Sequence, residues 1–170
     1  VRAPYVVLGA GVTGLSAARQ LATHLPDEEI VLIEAERVGF GTSGRNSGFA
    51  LDSFFHGDEP LNNPELSAAH ARLCTGGLNI LRKLVKENEI ECGWHDWGKL
   101  HVSAGAEGDT SLKGFIQGYE SLGIQAKELN AEEVAAVTGS TFYTAGLKVE
   151  ATGLMNPAAM CRGLGETLPS

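Results

Sequence analysis

The stretch from Tyr5 to Glu34 constrains this chain more than any other. Tyr5-Val6-Val7-Leu8 is a short, β-branched run closed by glycine, and it reads as a buried strand. Gly9, Gly11 and Gly14 follow directly. Leu15, Ala18 and Leu21 then recur at helical spacing until Pro26-Asp27 stops the helix. Ile30-Val31-Leu32-Ile33 is a second buried strand, and Glu34 ends it. This is a βαβ unit with Gly-x-Gly-x-x-Gly at its first turn, the pattern of an α/β dinucleotide-binding domain with a parallel sheet.

The chemistry dictates the spacing. Gly9 permits the tight turn out of the strand, Gly11 lets the backbone approach a pyrophosphate, and Gly14 lets the helix pack against the sheet. N–H groups of the turn, from Ala10 to Thr13, face the phosphates at the positive end of the helix dipole. Glu34 stands 20 positions after Gly14, where a carboxylate accepts both ribose hydroxyls and repels a 2′-phosphate, which argues against NADP.

Composition narrows the classes. The chain has 170 residues, 43% hydrophobic and 20% charged, in the ordinary range for a globular protein. The net charge of −8 and the lack of a basic patch argue against nucleic acid as a partner. No apolar run approaches the ~20 residues that span a bilayer, and the apolar N-terminal run is a strand rather than a signal peptide. Cys74, Cys92 and Cys161 are odd in number and show no Cys-x-x-Cys spacing, so they read as free thiols in a reducing compartment, the cytoplasm, and not as a metal site. A dinucleotide fold needs more parallel strands than this sequence supplies, so the expectation is the N-terminal part of a longer protein.

After Glu34, Ala35-Glu36-Arg37-Val38 leads into Gly39-Phe40-Gly41-Thr42-Ser43-Gly44-Arg45-Asn46-Ser47-Gly48. This long loop of glycines and small polar residues, with one helical turn expected from Ser43, suits a second approach to phosphate or a flat ring. Asn63 caps a helix that starts at Pro64 and runs to about Asn88, with Leu66, Ala69, Leu73, Leu81, Leu84 and Val85 as its apolar face. Gly76-Gly77 in its middle predicts a kink or a close backbone contact. Trp94 to Ser103 reads as a hairpin turning near Gly98, followed by a helix from Thr110 to Leu122 stopped by Gly123. Asn130 caps a further short helix, and Phe142 to Val149 is strand-like. These elements divide the chain into a dinucleotide-binding part over 1–55, a helical and antiparallel region over 56–152, and a return helix over 153–170.

With these residues in view, the sequence resembles the D-amino-acid oxidase superfamily of FAD-dependent oxidoreductases. It is most similar to the branch holding glycine oxidase, sarcosine oxidase and the gamma-glutamylputrescine oxidoreductases. Four segments carry the likeness: Val6 to Ala18, Glu34-Ala35-Glu36, Gly41 to Gly48, and Gly153-Leu154-Met155-Asn156-Pro157-Ala158-Ala159-Met160. The resemblance implies a Rossmann-like FAD-binding domain joined to the start of an α+β substrate domain with antiparallel strands, in an incomplete chain. It implies FAD held at Gly9, Ala10, Gly11, Thr13 and Gly14. Glu34, with Ala35 and Glu36 beside it, would bind the adenosine ribose. Thr42, Ser43, Gly44, Arg45, Asn46, Ser47 and Gly48 would run beside the pyrophosphate and the flavin ring, with Arg45 and Asn46 as side-chain contacts. Gly153 to Pro157 would lead a strand of the substrate domain back into a helix of the FAD domain.

Some members tether the flavin to a histidine in the third segment. No histidine lies between Gly39 and Gly48, so FAD is expected to be non-covalent there, while the family's C-terminal cysteine route stays open. The implied reaction is oxidation of an amine or amino acid at its C–N bond, with oxygen or a quinone as electron acceptor. The family's substrate-binding residues lie beyond Ser170, so a chain of this extent is expected to hold FAD weakly or not at all.

Two other classes stand beside this reading: an NAD-dependent dehydrogenase and a non-catalytic FAD-binding subunit. Among single side chains, His95 and His101 flank the expected hairpin, as surface residues or as an acid or base. Trp94 and Trp97 read as anchors of the second region's core, or as walls of a substrate pocket. Asp96 and Lys99 read as solvated turn residues, and His56 beside Phe54-Phe55 as a packing residue. None has to be catalytic, because the cofactor takes the hydride.

Overall fold

A computed structural model describes residues 3–52 and 62–169 of the chain. His56 and Phe54-Phe55 lie outside the described residues. The chain divides into two compact units. One runs up to Phe49 and adds Ile80–His95 and the residues from Leu154 on. The other is Ala50–Asn79 with Asp96–Gly153. Residues 80–95, expected in the second region, therefore belong with the first unit.

The first unit is built on β1 (Tyr5–Leu8), α1 (Val12–His24) and β2 (Ile30–Ile33). The two strands pair in parallel, Tyr5 opposite Ile30 and Leu8 opposite Ile33, as a βαβ crossover requires. Leu15 and Ala18 are the buried residues of α1. Leu15 packs into a core with Ala10, Val85, Ile90, Cys92, Met160, Cys161 and Leu164, and Trp94 packs against it. β2 is the partner of β1 among the described residues, and Val6, Leu8 and Ile33 are exposed. Thr42–Gly44 form a single 3-10 turn, where one helical turn was expected. The last helix, Pro157–Glu166, starts as its sequence dictates, with Pro157 in the first turn and the Asn156 side chain accepting from Ala159 N–H at 3.0 Å. β3 (Phe49–Ala50) pairs with a short strand, Gly153–Leu154.

The second unit carries α2 (Pro64–Glu87) up to Asn79, β4 (Lys99–Ser103), α3 (Ala106–Ser121), β5 (Ala126–Asn130), α4 (Ala131–Thr138) and β6 (Ala145–Val149). The return strand Gly153–Leu154 is β7 and the last helix is α5. β6 lies in the middle of a three-stranded sheet, antiparallel to β4 and β5. Leu147 and Val149 on β6 are fully buried against Leu112 and Tyr119 of α3. The antiparallel α+β character expected of this region is present.

Several local expectations need correction. Trp94 to Ser103 is not a hairpin: His95 bridges to Leu154, and β4 pairs with β6, Lys99 opposite Val149. Adjacent apolar runs suggested local pairing, but the partners come from much later in the chain. α3 begins at Ala106 rather than Thr110. Gly123 still takes the left-handed conformation (φ 67°) expected of a residue that ends a helix. The expected apolar face of α2 holds in its C-terminal half, where Val85 is buried and Leu81 and Leu84 pack on the core. Leu66 and Leu73, however, are 50% and 74% exposed, and Leu78, not expected on that face, is buried. A Cβ at Gly76 or Gly77 would meet no heavy atom within 4 Å, so no close backbone contact explains them among the described residues. Trp94 packs on the core of the first unit, not the second, and Trp97 is exposed. Asn130 caps α4 as expected, in a full capping box with Glu133.

Candidate functional site: the glycine turn and its braces

β1 delivers the chain to Gly9, which turns it with φ 96° and donates its N–H to Ile33 O at 2.7 Å, extending the parallel ladder by one bond. A Cβ at Gly14 would collide with the Gly9 carbonyl oxygen, so the first turn of α1 sits directly on the turn that precedes it. Gly11 is the N-cap and supplies no side-chain cap.

The four segments singled out in the sequence meet around this turn. The Glu34 carboxylate accepts from Ala10 N–H (2.7 Å) through Oε2 and from Glu36 N–H (3.1 Å) through Oε1. These bonds, that from Ala10 foremost, hold the Glu34 carboxyl below its ordinary range, so it is ionised at neutral pH. Ser43 Oγ accepts from Val12 N–H at 3.1 Å. Ala10 O accepts from Gly39 N–H at 3.0 Å. A Cβ at Gly44 would strike the Gly39 carbonyl, with Ala158 of α5 close behind it. Gly48, at φ 80°, lies so close to Met155 that a Cβ would strike that carbonyl, and Met155 N–H donates to Gly48 O at 3.0 Å.

The expected side-chain contacts divide into two kinds. Asn46 is turned into its own loop: its amide donates to Thr42 O and Ser43 O (both 3.0 Å) while Oδ1 accepts from Gly48 N–H at 2.8 Å. It shapes the loop rather than reaching out of it. Arg45 is exposed, its guanidinium 5.0 Å from the centre of the Phe40 ring, and Arg37 stands equally close to the same ring. The side chains of Thr13, Thr42 and Ser47 make no hydrogen bond among the described residues, nor do the N–H groups of Gly11, Thr13 and Gly14. Ala35 and Glu36 lie on the exposed stretch after β2.

The turn therefore fits a dinucleotide. A positive helix end keeps N–H donors free, Gly11 puts no side chain where Ser43 Oγ stands, and an ionised acid closes the second strand. Sequence reasoning missed two roles: Glu34 braces the turn, and Ser43 reaches the start of α1. No local signal links Ser43 to Val12, 31 residues apart.

The remaining polar residues fall elsewhere. His101 is in the second unit, stacked on Phe115 at 4.4 Å, with Nε2 3.3 Å from Tyr119 Oη. Burial, then the Lys99 charge, push its pKa down against a smaller opposing pull from Asp52, so the ring is neutral at pH 7. Lys99 is no solvated turn residue. Its ammonium pairs with Asp52 at 3.1 Å, the two side chains being 12% and 3% exposed. Thr152 donates to the same Asp52 oxygen at 3.3 Å. The three cysteines are free, and burial pushes the thiols of Cys92 and Cys161 up, which leaves them inert. Among the described residues no three His, Cys, Asp or Glu side chains cluster as metal ligands, and no helix is long and apolar enough to cross a membrane.

Comparison with known proteins gives a consistent picture. Residues 4–169 match the family described as FAD dependent oxidoreductase. The chain is 28% identical over 166 residues to gamma-glutamylputrescine oxidoreductase from Escherichia coli, covering 95% of this chain and 38% of that protein. It is 24% identical over 153 residues to an L-2-hydroxyglutarate dehydrogenase from the same species, covering 89% and 34%. The fold superposes on the crystal structure of glycine oxidase from Bacillus cereus with a TM-score of 0.77 at 14% identity, covering 97% of this chain and 43% of that one. At that identity the likeness speaks to fold alone. The chain spans about two-fifths of the length of curated proteins that it matches.

Proposed function

Since the chain belongs to the FAD-dependent oxidoreductase family, we propose that it binds FAD at the glycine turn and serves an enzyme that oxidises an amine or amino acid at its C–N bond. The observation that carries the reading is the meeting of all four segments at one turn, with Glu34 on Ala10 N–H, Ser43 on Val12 N–H and Gly48 on Met155. Gly11, Thr13 and Gly14 offer N–H donors to the pyrophosphate, and ionised Glu34 has lone pairs left for the ribose hydroxyls. Asn46 keeps the third segment folded, while Arg45 remains exposed and within reach of a bound anion. With no histidine between Gly39 and Gly48, this segment holds the cofactor without a covalent bond. FAD, when bound, supplies the two-electron acceptance that turns the amine into an imine, which water hydrolyses.

A second reading has a specific observation behind it: the likeness to an L-2-hydroxyglutarate dehydrogenase points to a 2-hydroxy acid oxidised at its C–O bond. The family match favours FAD over the NAD-dependent alternative. Oxygen or a quinone is the proposed acceptor and the cytoplasm the proposed compartment, the latter because the cysteines are unpaired. Visible spectroscopy of the purified protein under anaerobic conditions tests these readings. Flavin bands that bleach with amines or amino acids support the first, and bleaching with 2-hydroxy acids alone supports the second. The measurement is made on the full-length protein: flavin that neither reduces leaves a non-catalytic FAD-binding subunit, and full-length protein without flavin overturns the proposal.

A further inference from the structure

Helix α1 lacks the side-chain cap that its position calls for. Its N-cap is Gly11, whose backbone is extended (φ −79°, ψ 178°) and which has nothing to offer the first-turn N–H groups. Ser, Thr, Asp and Asn are the usual residues there, because a side-chain oxygen satisfies an N–H that the helix cannot. Here that oxygen comes from elsewhere in the chain: Ser43 Oγ accepts from Val12 N–H at 3.1 Å.

Three features show that the arrangement is built. Ser43 sits in the Thr42–Gly44 turn, fixed from one side where Gly44 presses on the Gly39 carbonyl and Ala158. The Asn46 amide holds Ser43 O at 3.0 Å from the other side. A Cβ at Gly11 would stand 2.8 Å from Ser43 Oγ, too close for a side chain. Gly11 therefore leaves the room, Val12 gives the donor and Ser43 gives the acceptor.

We propose that Ser43, from the third segment, supplies the capping acceptor that the N-cap Gly11 lacks, and that it orders the start of α1 before any cofactor arrives. The ordering couples the two segments: a displaced loop uncaps the helix, and an uncapped helix must be ordered at the cost of binding. Only this last consequence rests on the flavin reading. The cap itself belongs to the cofactor-free protein.

The experiment compares wild type, Ser43→Ala and Ser43→Thr after removal of flavin. Amide hydrogen exchange is followed by mass spectrometry on peptides covering residues 9–16, and FAD affinity by flavin fluorescence. In Ser43→Ala, exchange of that segment is expected to quicken about fivefold, the scale of one lost cap, with FAD affinity falling a few-fold. Ser43→Thr keeps the acceptor and is expected to restore both. Adding FAD should close the gap in exchange, because the phosphates then order the same N–H groups. Unchanged exchange in Ser43→Ala would overturn the cap. A large loss of FAD affinity with unchanged exchange would overturn it too, making Ser43 a ligand of the cofactor and nothing more. If the wild type binds no FAD, the flavin reading fails while the exchange result still decides the cap.

Discussion

The two units are made of equally short strands, four residues each in β1 and β2 and five each in β4, β5 and β6, yet they are held together by different means. Around the glycine turn, chain segments touch backbone to backbone. Gly14, Gly44 and Gly48 sit where a Cβ would strike the carbonyls of Gly9, Gly39 and Met155. Side-chain oxygens there accept from backbone N–H groups, Glu34 from Ala10 and Ser43 from Val12. In the second unit the buried polar contact joins side chains: Lys99, Asp52 and Thr152 come from three separate stretches and meet away from water. The second unit also has a glycine pressed on a carbonyl, Gly98 on Val149 O, but the first unit gathers three such contacts in the segments around its turn, whereas the second adds a buried charge pair. A site that must admit a flat, charged cofactor close to the backbone gains from the first arrangement.

The sharpest way to break this contrast is Gly14→Ala. A single methyl group there collides with the Gly9 carbonyl, so strand, turn and helix must part. We expect a loss of more than ~4 kcal/mol, which is exceptional for one methyl group, together with loss of flavin. Denaturant unfolding measures it, and a change under ~1 kcal/mol would show that the turn relaxes freely. Next comes Lys99→Met, which leaves the Asp52 carboxylate buried without its lysine and is expected to cost ~3 kcal/mol. Replacing both residues, as Asp52→Asn with Lys99→Met, should recover much of that loss. A double-mutant cycle that finds no coupling would remove the ion pair from the second unit's support.

Legibility in the sequence follows the same divide. The βαβ unit could be read because each of its signals is local: a β-branched run, glycines at fixed offsets, a helical repeat, and Glu34 at the end of β2. Asn130 and Asn156 were readable as caps for the same reason, since the donor lies three residues away. What could not be read depends on long separations. β4 finds its partner in β6, and the run Trp94 to Ser103 mimicked a hairpin only because two apolar stretches adjoin. β5 was hidden by Lys127 and Glu128, exposed on an edge strand whose fully buried residue is Leu129. Lys99 looked like a solvated turn residue because nothing near it in sequence announces Asp52. In the candidate site the residue types were legible, and their partners within the protein were not. Asn46 was expected to face the cofactor and instead folds its own loop.

Glu34 gives a finer test of the first unit. Its carboxyl lies below the ordinary value of 4.5 because Ala10 and Glu36 N–H groups favour the charged form. A carboxyl with a lowered pKa in the folded state adds stability that is fully present above that ordinary value. The contribution is lost as pH falls through the lowered folded value. Glu34→Gln keeps an acceptor and removes the charge. It should weaken FAD binding about tenfold at pH 7, the scale of a hydrogen bond to a charged group. Its deficit in thermal stability should shrink steadily as the pH is lowered below 4.5. An equal deficit at pH 7 and pH 3 would show that the carboxylate charge does not brace the turn.

The smallest expected effect has the opposite sign and concerns a glycine of the second unit. Gly76 lies in the middle of α2, exposed, in a helix unbroken from Pro64 to Glu87. No described atom comes within 4 Å of a Cβ built there. If glycine is required only where a carbonyl stands in the way, Gly76 is a pure cost to the helix. Gly76→Ala should then stabilise the protein by ~0.8–1 kcal/mol through the backbone entropy that alanine saves. The gain would appear as a rise of a few degrees in melting temperature. This chain spans about two-fifths of the length of curated proteins that it matches. A loss of stability in Gly76→Ala would therefore mean that another backbone lies against this face of α2. The long helix would then join Gly98 among the second unit's positions that resist an added atom, and the contrast between the units would rest on the buried charge pair alone.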